Sequence, residues 1–510
     1  MPISKRPVLL FVCTCLFVLR TEAEIRLPAL FSDHAVLQQG RPIPIWGSAE
    51  DGEVVTVSFR GAKYETTADH GKWRLMLPAL TPGGPDLLTI SGKNKIELKD
   101  VLVGEVWICS GQSNMEFPLR AAVGAAEAID AAANPKLRLF TVPKLKSELP
   151  VDDVKAAWQE SGPQTVTNFS AVAFYFGRDL QKALGVPVGL IHTSWGGSPA
   201  EVWVRHGVLE NNSAYARDIL SAYSNALGNY EAALARFTKA QDEARSDNKP
   251  FSQKPPQKPF WKPSELYNGM IAPLLPFAIR GAIWYQGESN ASRAKEYRTL
   301  FPDMIGNWRQ DWGQGDFPFL AVQLAPWDMG RKRSLEEITA TPTESDWAEL
   351  REAQVNTTRV LPNTGLAVIT DVGDKDDIHP RNKAPVGARL ALLARGIAYR
   401  QKMVFSGPIF RELDLRGSEA IVRFDFAGTG LEARDGDLTG FAVAGPDGKF
   451  VWAKARIDGP ETIVVSSPSV PHPVAVRYGW ADFPVVNLWN KDGLPASPFR
   501  SDEYPPIHKK

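Results

Sequence analysis

Opening an acyl bond takes a nucleophile, a base to deprotonate it, an acid to orient that base, and donors aimed at the oxyanion. Ser113 is the candidate nucleophile. It follows Val103-Gly104-Glu105-Val106-Trp107-Ile108-Cys109-Ser110-Gly111-Gln112, an apolar run that reads as a buried strand breaking at Gly111 and turning into a helix. A small side chain there stands at the carboxyl end of a strand, where open α/β sheets bind ligands, and a helix amino terminus just beyond it favours developing negative charge. The competing role for a serine in such a turn is to cap the helix that begins near Asn114. Met115 stands where a Gly-x-Ser-x-Gly elbow would carry its second glycine, so the stretch is not that motif.

The base is sought among seven histidines. His34, His70, His206, His472 and His508 fall in loops or β-type text with no carboxylate arrangement that recommends them, and His192 reads as a structural residue at a strand end. His379 differs. Asp371-Val372-Gly373-Asp374-Lys375-Asp376-Asp377-Ile378-His379-Pro380 follows a buried strand and precedes a helix with Val386, Leu390, Leu393 and Ile397 on one face. An aspartate two or three residues before a histidine can bond the ring and fix its tautomer, which nominates Asp376 and Asp377. No second histidine or cysteine nearby has metal-ligand spacing, so the site is expected to hold no metal.

These residues need a scaffold. Between about residues 103 and 400 strands alternate with helices, which gives a mostly parallel sheet covered on both faces. Buried strands are read at 188–191, 279–285, 319–324 and 366–371, and a helix after Ser170 carries Val172, Phe176, Leu180 and Leu184 on one face before Gly185 ends it. An insertion at about 206–267 holds Tyr215, Ile219, Tyr223, Leu227, Tyr230, Leu234 and Phe237 at helical steps, then a Pro/Lys stretch at 249–263 that cannot be helical. On either side the text turns to short alternating strands. Residues 24–102 and 401–510 read as small β-rich domains, the first with a proline-marked edge strand at 42–47.

The 510 residues suit two or three domains, and 44% hydrophobic with 23% charged residues is ordinary for a globular protein. Lys+Arg and Asp+Glu both number 58, so no global field recruits nucleic acid or an anionic membrane. Residues 1–23 have a basic start, an apolar run at 8–19 and a small-residue end at Ala23, the pattern of a secretory signal peptide. A secreted or periplasmic protein is expected, without membrane attachment once the peptide is cleaved. Cys13 and Cys15 would leave with it, and Cys109 reads as a small buried hydrophobe.

Four separated blocks stand in order: Gly111-Gln112-Ser113-Asn114-Met115, Trp195-Gly196-Gly197-Ser198-Pro199-Ala200-Glu201-Val202-Trp203, Trp284-Tyr285-Gln286-Gly287-Glu288-Ser289-Asn290 and Asp377-Ile378-His379-Pro380. Together they resemble the sialate O-acetylesterase family of the SGNH hydrolases, from about Leu27 to the Trp480-Ala481-Asp482 region. The resemblance implies a flavodoxin-like three-layer α/β hydrolase domain with β-rich domains on either side. It implies Ser113 as nucleophile, His379 as base, and the Ser113 and Gly197 amides with the Asn290 side chain as oxyanion donors. Gln112, Gln286, Glu288 and Arg293 are expected at the substrate. For the acid, the wider superfamily's Asp-x-x-His selects Asp376 and the family's Asp-Ile-His-Pro string selects Asp377; Asp376 is preferred, and a Ser-His dyad stays open. The implied activity is cofactor-free hydrolysis of acetyl esters on a carbohydrate, with acetylxylan as the rival to an acetylated sialic acid. A sugar-binding protein with a decayed site is the reading from another class.

Overall fold

The computed structural model describes residues 24–502. The proposed signal peptide, Cys13, Cys15 and His508 lie outside them. One strand, Lys95–Gly111, organises what remains. Its first part pairs antiparallel with Gly83–Ser91, which also pairs with Val54–Phe59. Its second part pairs in parallel with Val188–Ser194 on one side and Gly281–Tyr285 on the other. The burial pattern shows why one strand serves both roles. Residues 95–99 alternate roughly between exposed and covered positions, whereas every residue from 101 to 111 is buried, as expected where a parallel sheet is covered on both faces.

The parallel sheet runs in the order Thr364–Ala367, Phe319–Val322, Gly281–Tyr285, Lys95–Gly111, Val188–Ser194, Asn134–Thr141, with Gln159–Ser161 antiparallel at the edge. Alternate residues of the central strand enter different clusters. Trp107 and Cys109 pack with Phe176, Leu180, Val386 and Leu390, whereas Val106 and Ile108 pack with Leu300, Trp308 and Leu350. The helix Ala171–Leu184 begins as the sequence requires, with the Ser170 hydroxyl accepting the Ala173 N–H at 3.1 Å, and it ends at Gly185 with φ +72°.

The expected boundary at 102/103 falls inside Lys95–Gly111. Val57, Val103 and Trp203 share one core cluster, so the N-terminal strands and the central sheet are packed as a continuous body. The C-terminal region has a core of its own, which includes Val422, Val443 and Tyr478. It is tied to the helix Asp346–Val360 by Arg351, which donates to the Ala481 carbonyl at 2.7 Å and the Asp482 carbonyl at 3.0 Å. In the insertion, the helix Ala222–Ser246 buries no residue fully. Its apolar stripe is half-covered, in part by its own Pro/Lys tail: Phe237 meets Phe251 at 5.2 Å. No helix among the described residues is long and apolar enough to cross a membrane.

Candidate active site

The chain leaves Lys95–Gly111 through a glycine that nothing else could replace. Gly111 has φ +138°, and a Cβ on it would lie 2.2 Å from the Tyr285 carbonyl oxygen. The turn delivers Ser113 as the first residue of the short helix Ser113–Glu116. Gln112, not Ser113, holds the N-cap position, and no side chain caps this helix. The half-buried serine is therefore not spent on capping. The helix is braced from behind by Ser170, whose hydroxyl donates to the Met115 carbonyl at 2.6 Å.

The second block folds over the first. A Cβ on Gly196 would stand 3.2 Å from that of Ser113. The Gly196 N–H donates to Glu116 at 2.6 Å, while Gly197, with φ +75°, is exposed. Asn290 is fully buried, and its Oδ1 accepts the Ala200 N–H at 2.9 Å and the Gln286 amide at 2.7 Å. Its Nδ2 gives one proton to Glu201 at 3.0 Å and keeps a second.

His379 is half-buried, and its segment is joined to the serine's by Asn114, whose Nδ2 donates to the Ile378 carbonyl at 3.0 Å. Among the described residues no hydrogen bond links Ser113 directly to the His379 ring; such contacts are commonly loose until substrate binds. The His379 Nδ1 lies 3.6 Å from Asp377 Oδ1, beyond a direct hydrogen bond. The same oxygen accepts the His379 backbone N–H at 2.8 Å. Asp376 instead pairs with Lys375 at 2.6 Å, so the sequence-based preference for Asp376 runs against the arrangement. Burial lowers the imidazole pKa below its ordinary value; Asp377 opposes the shift and Lys383 reinforces it.

Residues 256–393 match the family described as carbohydrate esterase, sialic acid-specific acetylesterase. That span contains the Gln286–Asn290 and His379 blocks and excludes Ser113. The sialate O-acetylesterase of Mus musculus is 31% identical over 518 residues, covering 92% of this chain and 93% of that protein. The chain belongs to the sialate O-acetylesterase family. The sialate O-acetylesterase of Homo sapiens is 28% identical over 498 residues, covering 89% of this chain and 88% of that protein. The crystal structure of a novel carbohydrate acetylesterase from Xanthomonas citri superposes with a TM-score of 0.80 at 39% identity, covering 94% of this chain and all of that one. The protein is accordingly a carboxylic ester hydrolase.

In this esterase the four residues expected at the substrate are engaged with the protein itself. Gln112 Oε1 accepts the Gly287 and Ser289 amides at 3.4 and 3.3 Å. Gln286 is fully buried and accepts the Tyr297 hydroxyl at 3.0 Å. Glu288 accepts the Asn114 amide at 2.6 Å. Arg293 is shared between Glu201 and Glu296, both at 2.6 Å. Arg205 is also committed, to Asp311 at 3.2 Å. Of the block tryptophans, Trp203 and Trp284 are core, whereas Trp195 is partly exposed and meets Trp261 of the insertion at 5.6 Å. His192 is buried against Ser194 at 2.6 Å and its pKa falls to about 4, as a structural histidine's would.

Three participants were not singled out from the sequence. Glu116 holds the glycine turn, Lys383 is fully buried and donates to Asn114 Oδ1 at 2.5 Å, and Asn114 joins the nucleophile and base segments. Only burial could have flagged Lys383, because a lysine before a helix reads as surface. Likewise His34, dismissed above, meets Asp100 at 2.6 Å. Arg138 holds that same carboxylate at 2.6 Å, near the opposite end of the central strand from Ser113.

Proposed function

We infer that this chain is an exported carbohydrate O-acetylesterase that removes acetyl groups from an acetylated sialic acid by a Ser113–His379 acyl-enzyme mechanism. The observation that carries the reading is convergence at one sheet edge. Ser113 stands beside Gly196 and is linked through Asn114 to the carbonyl that precedes His379. The Ser113 oxygen attacks the acetyl carbonyl while His379 takes its proton. The oxyanion is met by the Ser113 amide, the Gly197 amide and the second proton of Asn290; commitment of the Gly196 amide to Glu116 favours Gly197 for this task. His379 then protonates the departing sugar oxygen; water deprotonated by the same imidazole attacks the acetyl-enzyme, and the imidazolium returns that proton to the Ser113 oxygen as acetate is released. Asp377 is the acid beside the imidazole; the pairing of Asp376 with Lys375 supports that choice. The flavodoxin-like three-layer reading of the central domain draws on its two core clusters, and export rests on the pattern of residues 1–23.

A specific observation favours acetylxylan as a second reading. A sialate carboxylate calls for a cation, and both nearby arginines, Arg205 and Arg293, are already paired. Lys144 is paired as well, with Glu116 at 2.5 Å, but it stands 5.5 Å over the Trp195 ring next to Gly196 with its side chain 43% exposed, and it is the cation this reading offers to a sialate carboxylate. Acetate release from a 9-O-acetylated sialic acid and from acetylxylan, run side by side, decides between them. Ser113→Ala should lower turnover of an aryl acetate by about a thousandfold or more while the protein stays folded. Near-normal turnover, with no labelling of the wild-type protein by a serine-directed phosphonate, would identify a sugar binder instead.

A further inference from the structure

Behind the Ser113 turn lie two ionisable groups removed from water, in a place where burying charge is costly. Lys383 is fully buried, over the Phe117 ring at 4.8 Å and the Tyr285 ring at 5.3 Å. Its ammonium does not meet Glu288 directly. The two are bridged by Asn114, with Lys383 donating to Oδ1 at 2.5 Å and Nδ2 donating to Glu288 Oε1 at 2.6 Å. The second Glu288 oxygen is buried without a partner.

A side-chain amide can lie either way round, and the wrong way would aim its oxygen at two acceptors. An ammonium has protons only, so it admits the oxygen and turns both amide protons away from itself. Those protons reach Glu288 and the Ile378 carbonyl at 3.0 Å. Asn114 adjoins Ser113 and Ile378 adjoins His379, so this last bond fixes how closely the base segment approaches the nucleophile. We propose that Lys383 and Asn114 are positioning residues: the buried ammonium sets the orientation of the Asn114 amide, and that amide holds the His379 segment against the helix start that carries Ser113.

The arrangement has a charge consequence as well. Asp377 and Lys383 are the charged groups that act on His379; Lys383 is itself faced by Glu288 and Asp377, and Glu288 by Lys383. Burial lowers the Lys383 pKa to about 7, so below neutrality it is cationic and disfavours the imidazolium. The acid limb of the rate profile lies in that range.

This inference rests on His379 acting as the base, and the test separates the two. Lys383→Gln keeps a donor for Asn114 and loses the charge; Lys383→Met loses both and puts an apolar chain of similar length between two rings. Both variants should move the acid limb of kcat/KM for an aryl acetate upward by about half a pH unit. Lys383→Met should also lower kcat at least about tenfold, with KM changed by less than about threefold. A folded Lys383→Met variant whose kcat is unaltered overturns the proposal, and a folded variant of either kind whose limb stays at the wild-type pH overturns its charge consequence. If Lys383→Met does not fold, Asn114→Ala, which removes the amide and keeps the lysine, takes its place: a similar loss of kcat is expected, and an unaltered kcat overturns the proposal. Retained activity in His379→Ala would sink the mechanism itself, whatever the lysine variants do.

Discussion

The Glu116 carboxylate accepts the Gly196 N–H at 2.6 Å and the Lys144 ammonium at 2.5 Å, so the last residue of the nucleophile's helix anchors the glycine turn. Fixing Gly196 fixes the direction of the adjacent Gly197 amide. Glu116→Ala should therefore cost roughly tenfold to a hundredfold in kcat on an aryl acetate, less than deletion of an oxyanion donor itself. Glu116→Gln keeps an acceptor for Gly196 and should retain most of the rate. Equal losses in both would show that the pairing with Lys144, not the backbone bond, is what matters.

The two adjacent aspartates should separate cleanly. Asp377 sits beside the ring and binds the His379 backbone, whereas Asp376 pairs with Lys375 at the surface. Asp377→Asn is expected to lower kcat roughly tenfold to a hundredfold, well short of a tightly coupled triad aspartate because the ring lies beyond hydrogen-bond distance. Asp376→Asn should change it by less than about twofold, as exposed pairs do. Kinetics of the two variants at one pH check this; a larger loss in Asp376→Asn would restore the reading made from the sequence.

The pH profile carries its own sign. His379 must be neutral to accept the serine proton, and its pKa lies below the ordinary value because burial outweighs the attraction of Asp377. The rate should accordingly rise with pH through a midpoint below ~6.5, the value of an unperturbed imidazole. Asp377 holds the pKa up, so Asp377→Asn should move the midpoint to still lower pH. A midpoint above ~6.5 in the wild-type protein would contradict the balance described here.

His192 predicts acid sensitivity of the fold. Its pKa is about 4 in the buried site, so between the unfolded value near ~6.5 and that point the unfolded chain binds the proton that the folded chain refuses. Stability from this residue is present at neutral pH and is lost as pH falls through that window, by roughly 3 kcal/mol. Denaturant midpoints of His192→Gln against wild type should show a shallower decline between neutral and acidic pH.

Gly111→Ala tests the turn. The methyl would meet the Tyr285 carbonyl at 2.2 Å, and φ +138° disfavours any side chain. Roughly 2–4 kcal/mol of stability should be lost, along with most of the esterase rate, because the displaced backbone is the one that aims Ser113. A variant stable and active as the parent would mean the turn relaxes freely.

Much was legible before any fold was known. An unbroken apolar run ending in glycine before a serine announces a covered parallel strand and its exit, and Ser170 and Gly185 mark the ends of their helix because capping is a local event. Charge balance and the four ordered blocks are also properties of sequence alone. The strand Asn134–Thr141 and the helix Asp346–Val360 were missed, the one headed by a proline and two polar residues and the other only weakly amphipathic. What tertiary structure decided was everything that depends on residues distant in sequence. A single strand crosses 102/103, pairing antiparallel at one end and parallel at the other, which no local pattern announces. Lys383 looks like a surface lysine until Asn114, 269 positions earlier, accepts its proton. His34 finds Asp100 across 66 positions, and only packing shows that His379 faces Asp377 while Asp376 turns to Lys375. Neighbouring aspartates are equivalent as text; the direction in which a loop points each carboxylate is fixed by the backbone and by burial, which no local pattern encodes.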